Sequence, residues 1–303
     1  MAAARTTVVV VTWRGSQHID ACLAALAAQE RAHHVLVMDN ASRDGTAEKL
    51  SGHRVIRLAR NRGYAGALSA ALPHVETEFV AWLNDDTVPA PGWLTALEEA
   101  LDADPGAAAA ASALELPDRS VQSVGVRLTA DGYGADLAFS GREVFGFCGG
   151  AALLRTDRLR AVGGVPAGFF CYYEDTDTAW RLRLGGWRVI SVGPAKVVHR
   201  HGASSRLGSR RFHHWNERNR LLTLLRCAPM AVAAGQAARF AVITALLAAR
   251  GDRQRPVNLR VGPRLVVLCD VAARMPTTLI ARIRIGRRSS VCRRTVWAEW
   301  AGR

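Results

Sequence analysis

The 303-residue sequence contains six cysteines, but no two of them form a C-x-x-C pair. This spacing argues against a zinc site and a disulfide framework, and it fits a reducing compartment. The N-terminus also lacks the apolar length and the cleavage site of a secretory signal, since only a short valine run follows Arg5. We therefore expect a cytoplasmic protein.

Several common catalytic and nucleotide-binding motifs are missing as well. The sequence has no G-x-G-x-x-G fingerprint, no P-loop, no G-x-S-x-G elbow and no convincing Cys–His pair. Residues 61–66, with the sequence NRGYAG, resemble a glycine loop but have neither of the two phosphate-binding spacings. These absences exclude the standard dinucleotide-binding, P-loop and α/β-hydrolase sites.

Charge is distributed unevenly along the chain. The net charge is +14, and residues 226–303 account for +12 of it, with 15 Arg against 3 acidic residues. Because these arginines alternate with aliphatic side chains and not with aromatic ones, an anionic membrane surface suits them better than nucleic acid. The alternative is that residues 226–303 pack against the rest of the chain or an oligomer partner. The composition predicts a domain of residues 1–225 and a basic, amphipathic, helical region of residues 226–303.

One long apolar stretch lies in this basic region, at residues 228–249. It includes Gln236 and Arg239, and an ionisable side chain is expensive in the middle of a bilayer. We therefore expect a helix that lies at an interface or is buried, and not a membrane span.

The first hundred residues alternate between buried strands and helices. The strands are predicted at residues 6–12, 35–38, 55–58 and 79–83, and a further strand is predicted at residues 144–154. This alternation is typical of an α/β fold with a mostly parallel central sheet flanked by helices. Ligands of such sheets bind beyond the carboxyl ends of the strands, where Thr12, Asp39 and Asp85 are expected to lie.

Two acidic clusters carry the candidate chemistry. Residues 84–86, with the sequence NDD, could hold Mg²⁺ or Mn²⁺ against a diphosphate, although a polar turn would have the same composition. His199 is a candidate second ligand, in competition with His201, His213 and His214. The other cluster, Glu174, Asp175 and Asp177, could act in acid–base chemistry or merely cap a helix.

Taken in order, these segments resemble the inverting GT-A glycosyltransferases of family 2. The resemblance covers residues 6–225, and its subgroup spacing is most similar to rhamnosyl- and galactofuranosyl-type transferases of bacterial cell-envelope polysaccharides. The matching segments are VVVVTW at 8–13, DNASRDGT at 39–46, NRGYAG at 61–66, LNDD at 83–86, GGAALLR at 149–155, VGG at 162–164, FCYYEDTDTAWRL at 170–182, GW at 186–187 and HRHGAS at 199–204.

The resemblance implies a GT-A fold and a role for each matching residue. Asp175 is the implied general base and Glu174 lies beside it, while Asp86 and His199 hold the divalent metal. The implied contacts to the nucleotide-sugar donor are Thr12, Asp39, Asp44, Asn61, Gly63 and Asp85. Two departures from the family pattern are Asn84, where many relatives have an acid, and the absence of an Asn after Gly66.

The implied activity is transfer of a sugar from a nucleoside-diphosphate sugar, dTDP-rhamnose or a UDP-sugar, to a hydroxyl of a saccharide or lipid-linked acceptor. Three alternatives share parts of the same chemistry. A sugar-1-phosphate nucleotidyltransferase would want a basic triphosphate loop that residues 13–20 do not supply. A glycoside hydrolase would use paired carboxylates without a nucleotide site, and a non-catalytic protein could bind sugar nucleotides through the same residues.

Overall fold

The structure is a computed structural model that describes residues 3–139, 141–200, 208–250 and 256–302. Within these residues the strands are β1 (Thr6–Thr12), β2 (His33–Asp39), β3 (Arg54–Arg57), β4 (Phe79–Asn84), β5 (Thr87–Pro89), β6 (Ala107–Glu115), β7 (Val121–Ser123), β8 (Val126–Leu128), β9 (Gly134–Asp136), β10 (Ala151–Arg155) and β11 (Arg188–His199). The helices are α1 (Ile19–Ala27), α2 (Gly63–Ala71), α3 (Trp93–Asp102), α4 (Thr156–Ala161), α5 (Glu174–Leu184), α6 (Arg210–Cys227), α7 (Met230–Arg250), α8 (Val261–Ala273), α9 (Met275–Arg288) and α10 (Arg293–Trp300).

The central sheet is mostly parallel, which confirms the predicted fold class. Its strand order is β3-β2-β1-β4-β10-β6-β11-β5, with β7 added beside β6. Strand β10 is antiparallel to both β4 and β6, so β6 runs in the same direction as β4, and β11 is parallel to β6. The carboxyl ends of β1, β2, β4 and β11 therefore meet at one edge of the sheet.

Both faces of the sheet are covered, and the sequence of β1 shows why. Its continuous run of β-branched residues is buried along its whole length, as expected for a strand covered on two sides. Val9 and Val11 point into the core shared with α2 and α5, whereas Val8 and Val10 point into the core shared with α1 and α3. This alternation leaves the carboxyl edge of the sheet as the open rim.

The strand predicted at residues 144–154 is wrong in its first half, because only Ala151–Arg155 belong to the sheet. The main chain before β10 bonds to other partners: the Val144 N–H donates to the Val189 carbonyl, and Gly146 exchanges two bonds with Val126. A continuous run of buried apolar residues predicts a single strand, because the sequence pattern does not show where the hydrogen-bond partner changes.

Residues after 225 pack against the rest of the chain through side chains of α6 and α10. Helix α6 continues across position 225, and helices α7, α8 and α9 all contact it. The Arg226 guanidinium lies 2.6 Å from the buried Asp177 carboxylate, and the ring of Trp297 stacks on that of Trp180. The inner face of the C-terminal helices is thus an extension of the core.

Helix α7 leaves most of its apolar surface exposed. Among the described residues, the segment Met230–Ala249 is long and apolar enough to cross a bilayer by length and composition, and only 17% of it is buried. Gln236 and Arg239, in the interior of this segment, both bond to the Asp131 carboxylate, at 3.2 and 2.5 Å. These bonds attach one side of the helix to residues of the first half of the chain.

Candidate active site

A cavity of about 780 Å³ opens at the carboxyl edge of the sheet. One side, which we call the strand-end wall, consists of residues 84–86 with Gln122 and His199. A second part of the lining, which we call the turn wall, consists of residues 170–176 with Phe212 and Trp215 of α6. Gly149 and Gly150 lie between the two walls and join them.

Asp86 and His199 face each other in the strand-end wall. The Asp86 Oδ1 atom lies 3.2 Å from Nε2 of His199, and both side chains are buried. Burial alone would raise the pKa of Asp86, but the hydrogen bond and charge of His199 outweigh it, so this pKa lies below its ordinary value. Strand β5, which directly follows Asp86, pairs antiparallel with β11 so that Thr87 lies opposite His199, and this pairing is why residues so distant in sequence meet.

The chemistry of this pair suits a small divalent cation. Gln122 Oε1 lies 2.8 Å from Nδ1 of His199, so an N–H on Nδ1 would direct the Nε2 lone pair toward Asp86, where the two side chains could ligate one cation. The described residues contain no group of three or more potential metal-binding His, Cys, Asp or Glu side chains. Mg²⁺ commonly binds to one or two carboxylates and completes its shell with phosphate oxygens and water, so two protein ligands fit such an ion.

The competing histidines differ in their surroundings. His214 bonds to Asp270 through Nε2 at 3.1 Å, and the ring of His213 packs edge-on against Phe212. His201 lies outside the described residues. Among the candidate histidines that the structure describes, His199 is the one in contact with Asp86.

Asp85 also lines the cavity, and Thr12 supports it from behind. The Thr12 hydroxyl donates to Asp85 Oδ2 at 2.6 Å from a fully buried position. Burial raises the pKa of Asp85 to about 7 despite this hydrogen bond. A Cβ at Gly15 would lie 2.1 Å from Asp85 Oδ2, so the chain approaches this carboxylate too closely for any larger residue.

Asp39 and Asp44, like Thr12, are not among the residues that line the cavity. Buried Asp39 accepts a hydrogen bond from the Ser42 N–H at 2.9 Å. Asp44 accepts from the Ser16 N–H at 3.2 Å and from the Thr46 hydroxyl at 2.5 Å. These residues shape the loops after β1 and β2, where Asn40 and Trp13 do reach the cavity.

Asn61 and Gly63 line the cavity and connect it to the turn wall. The Gly63 N–H donates to Asn61 Oδ1 at 2.7 Å, and Gly63 has a positive φ of 70°. A Cβ at this position would lie 2.1 Å from the carbonyl oxygen of Phe170, so only glycine fits between the segments.

Asp175 lies in the first turn of α5 with its carboxylate held by main-chain donors. Oδ2 accepts from the Gly149 N–H at 2.9 Å, and Oδ1 accepts from the Thr176 N–H at 2.6 Å. Burial raises the pKa of Asp175 despite these bonds. Neighbouring Glu174 is more deeply buried, and its pKa is raised well above the ordinary value by burial and by the charge of Asp175.

The third carboxylate of the cluster has a different environment. Asp177 is fully buried between Arg181 and Arg226, with both Nε atoms at 2.6 Å from its oxygens. Although burial by itself would raise its pKa, the two arginines lower it below the ordinary value. Asp177 therefore ties α5 to α6, while Glu174 and Asp175 face the cavity.

Sequence reasoning missed the residue that holds the turn wall in place. Phe170, Tyr172 and Tyr173 all have φ of 68°, a left-handed conformation that is uncommon outside glycine. The buried Asn219 amide of α6 donates to the carbonyls of Phe169, Cys171 and Tyr172, at 3.0, 2.9 and 2.8 Å. The sequence offered one sign of this role: Asn219 lies just before the apolar run at residues 221–225, on the buried side of a helix.

Gln122 was also missed, because a glutamine in a short edge strand carries no motif. Its contact with His199 bridges residues 77 positions apart and depends on β7 pairing with β6.

Comparison with known proteins supports an assignment. The glycosyl transferase family 2 model matches residues 7–163, about half of the chain. An N-acetylglucosaminyl-diphospho-decaprenol L-rhamnosyltransferase of Mycobacterium tuberculosis is 28% identical over 230 residues, which cover 63% of this chain and 75% of that protein.

Solved structures show the same fold at low sequence identity. GalNAc-T7 with UDP, GalNAc and Mn²⁺ has a TM-score of 0.64 at 12% identity, and the match covers 90% of this chain and 57% of that one. S. aureus TarS 1-349 in complex with UDP-GlcNAc has a TM-score of 0.57 at 18% identity over 97% and 91% of the two chains. The mannosyltransferase PcManGT of Pyrobaculum calidifontis, in complex with GDP-Man and Mn²⁺, has a TM-score of 0.52 at 21% identity over 98% and 79%.

The fold, the cavity at the carboxyl edge of the sheet and the family match agree with one another, and they favour glycosyl transfer over hydrolysis, nucleotidyl transfer or passive binding. The chain belongs to glycosyl transferase family 2, has the GT-A fold and is a glycosyltransferase.

Proposed function

We propose that this enzyme transfers a sugar from a nucleoside-diphosphate sugar to an acceptor hydroxyl and inverts the anomeric centre. The observation that carries the proposal is the cavity itself, which places the Asp86–His199 pair and the Asp175 carboxylate on either side of one glycine pair. A Cβ on Gly149 would lie 3.4 Å from Asp175 Oδ2, and a Cβ on Gly150 would lie 3.5 Å from the His199 ring.

Asp175 serves as the general base in this proposal. Burial raises its pKa, and a carboxylate with a raised pKa is a stronger base. The Gly149 and Thr176 N–H groups fix the carboxylate, so the acceptor hydroxyl meets a base that is already oriented. A single base on the acceptor side fits one direct displacement without a covalent sugar–enzyme intermediate.

The strand-end wall binds the donor. Asp86 and His199 would hold Mg²⁺ or Mn²⁺, and Asp85 is placed to contact a ribose or sugar hydroxyl. When bound, such a cation neutralises the charge that develops on the departing nucleoside diphosphate. The structural relatives bound to UDP or GDP-Man with Mn²⁺ support this placement.

For the donor we propose dTDP-rhamnose or a UDP-sugar, and for the acceptor a saccharide or a lipid-linked saccharide of the cell envelope. The 28% identity to a rhamnosyltransferase whose acceptor is N-acetylglucosaminyl-diphospho-decaprenol supports both choices.

We also propose that the C-terminal helices bind the inner face of the plasma membrane. Their outer faces expose large apolar side chains, including Val242 at 57%, Val266 at 56% and Ile283 at 58%. Arg284 and Arg287 are exposed on α9 near Ile283, and anionic headgroups attract such arginines by about 1 kcal/mol each. Binding there would bring a lipid-linked acceptor to the cavity.

Vesicle flotation tests the membrane proposal. The full chain should float with vesicles containing anionic lipid and remain behind with neutral ones. Val242→Glu combined with Ile283→Glu should reduce flotation, whereas Glu48→Gln, an exposed change elsewhere, should not. Equal flotation of wild type and the double variant, or a defined oligomer that buries this face, would assign the surface to another role.

The catalytic proposal is tested by donor binding and product stereochemistry. Thermal shifts with dTDP, UDP and GDP and with their sugars should appear for one base and should require Mn²⁺ or Mg²⁺. A nucleotide at about 100 times its dissociation constant stabilises the fold by about 2.7 kcal/mol. Proton NMR of the product should show an inverted anomeric configuration, and a retained configuration would contradict the mechanism.

A further inference from the structure

Four aromatic side chains of the turn wall line the cavity, and none of them has a role in the proposed mechanism. Phe170 and Tyr172 come from the turn before α5, and Phe212 and Trp215 come from α6. We call these residues the aromatic patch. The rings of Phe170 and Trp215 lie 4.7 Å apart at 33°, and those of Tyr172 and Phe212 lie 5.2 Å apart at 82°. All four side chains retain partial exposure, so the paired rings still present surface to the cavity.

The backbone of the patch is held in an uncommon conformation. Phe170 and Tyr172 are left-handed, and Asn219 and Arg218 fix the turn by donating to its carbonyls, with Arg218 Nη2 at 2.6 Å from the Phe169 oxygen. Strained backbone of this kind persists where the surrounding structure holds it, and it concentrates at ligand-binding and catalytic sites. The turn thus presents two aromatic rings to the cavity in a conformation that its own sequence would disfavour.

The position of the patch assigns it to the acceptor side. A general base must lie within hydrogen-bond reach of the hydroxyl that it deprotonates. Asp175 follows Tyr172 by three residues on the same wall and lies beside Gly149, whereas His199 lies beside Gly150 and belongs with Asp86 to the strand-end wall, to which the proposal assigns the donor. The molecule that carries the reacting hydroxyl therefore rests against the turn wall.

The chemistry of the patch selects a sugar ring. Aromatic faces carry negative quadrupole charge, and one face of a pyranose presents several weakly positive C–H groups. A ligand pocket lined by aromatic rings with a few polar groups binds such a ring through one apolar face and orients its hydroxyls. Asn216 of α6 lies in the same lining and can bond to those hydroxyls.

We propose that the aromatic patch is the acceptor subsite and that it binds a pyranose ring stacked on its aromatic faces, with a ring hydroxyl directed to Asp175. This inference rests on the proposed function and deepens it, because it names the part of the acceptor that the enzyme recognises.

Saturation-transfer NMR with octyl β-N-acetylglucosaminide tests the subsite directly. The wild type should transfer saturation to the ring protons of one sugar face. Trp215→Leu, which keeps an apolar side chain but removes the aromatic face, and Phe212→Ala should each weaken binding at least tenfold and raise the KM for this glycoside. The thermal shift produced by the nucleotide with Mn²⁺ should stay at the wild-type value in both variants.

Phe139→Ala is the matched control, because Phe139 is 89% exposed and does not line the cavity. Circular dichroism checks folding, and Phe212→Ala decides the matter if Trp215→Leu does not fold. Unchanged glycoside binding in the folded variants, or no binding by a wild type that responds to nucleotide, overturns the subsite. If the wild type shows no thermal shift with nucleotide and Mn²⁺, the proposed function is wrong. The glycoside measurement still tests the subsite in that case.

Discussion

The two walls of the cavity are built in different ways. The strand-end wall consists of residues that terminate β4 and β11, so main-chain pairing in the sheet sets its positions. The turn wall includes a stretch of irregular backbone in which Phe170, Tyr172 and Tyr173 have positive φ, and the side chain of Asn219 holds this stretch in position. One wall depends on the sheet, and the other depends on Asn219 of α6, which follows Tyr172 by 47 residues.

Because of this difference, we expect substitutions in the two walls to affect the enzyme in different ways. Substitutions in the strand-end wall should remove a ligand and leave the surrounding backbone in place, because sheet hydrogen bonds hold it. Substitutions that support the turn wall should move Asp175 even when they lie outside the cavity. The following variants test this contrast, from the largest expected effect to the smallest.

Asp175→Asn removes the proposed base without changing the size of the side chain. General-base catalysis contributes about 10²–10⁴-fold to rate, so turnover should fall by about that factor while nucleotide binding is retained. Steady-state kinetics with a thermal-shift measurement of nucleotide binding checks both statements. Turnover close to the wild-type value would remove Asp175 from this role.

Asn219→Ala removes the amide that donates to three carbonyls of the turn wall. A buried polar group left without its partner costs about 1–3 kcal/mol, and the Cys171 and Tyr172 carbonyls both lose this donor. We expect a loss of this order in the free energy of unfolding, together with a lower kcat and nearly unchanged nucleotide affinity.

Urea denaturation and kinetics measure these effects of Asn219→Ala. Asn258→Ala, at an exposed position between α7 and α8, is the matched control. Equal losses of donor affinity and turnover would mean that the two walls move together and are not positioned independently.

Gln122→Leu tests the strand-end wall through the residue that orients His199. Loss of an outer-shell partner of a ligating histidine typically costs 10–100-fold in metal affinity, and we expect an effect of about this size. Mn²⁺ binding in the presence of nucleoside diphosphate, followed by electron paramagnetic resonance, provides the measurement. Unaltered Mn²⁺ affinity would show that the Gln122–His199 contact does not position a ligand.

Glu174→Gln should produce the smallest effect, and a pH-dependent one. The pKa of Glu174 is raised well above its ordinary value by burial, so the folded state binds a proton more tightly than the unfolded state does. Stability of the wild type is then lost as pH rises above the unfolded pKa of about 4.3. The free energy of unfolding of Glu174→Gln relative to wild type should therefore increase with pH.

Denaturation curves between acidic and alkaline pH measure this trend. Exposed Glu48→Gln serves as the control for the substitution itself. A difference between Glu174→Gln and wild type that is constant with pH would show that Glu174 is not a buried, protonated carboxyl.

The sequence predicted the strand-end wall better than the turn wall. The valine run of β1 and the acidic residues after β4 follow period and position rules, so Thr12, Asp39 and Asp85 could be placed at one edge in advance, with His199 as one of four candidate histidines. Residues 170–173 gave no such signal, because left-handed Phe and Tyr residues contradict local preference and are stable only with Asn219 in place. The sequence also provided no means of distinguishing the three acids of α5, although Asp177 is bound by Arg226 and the other two face the cavity.

By itself the sequence determined the alternation of buried strands and helices in the first hundred residues, the edge at which acidic side chains gather and the basic character of residues 226–303, since these depend on local periodicity and composition. Only the tertiary structure decided which acids face the cavity, which histidine meets Asp86 and what holds the turn before α5. Those features depend on contacts between residues tens of positions apart, and such contacts exist only once the sheet has paired and α6 has packed against the turn.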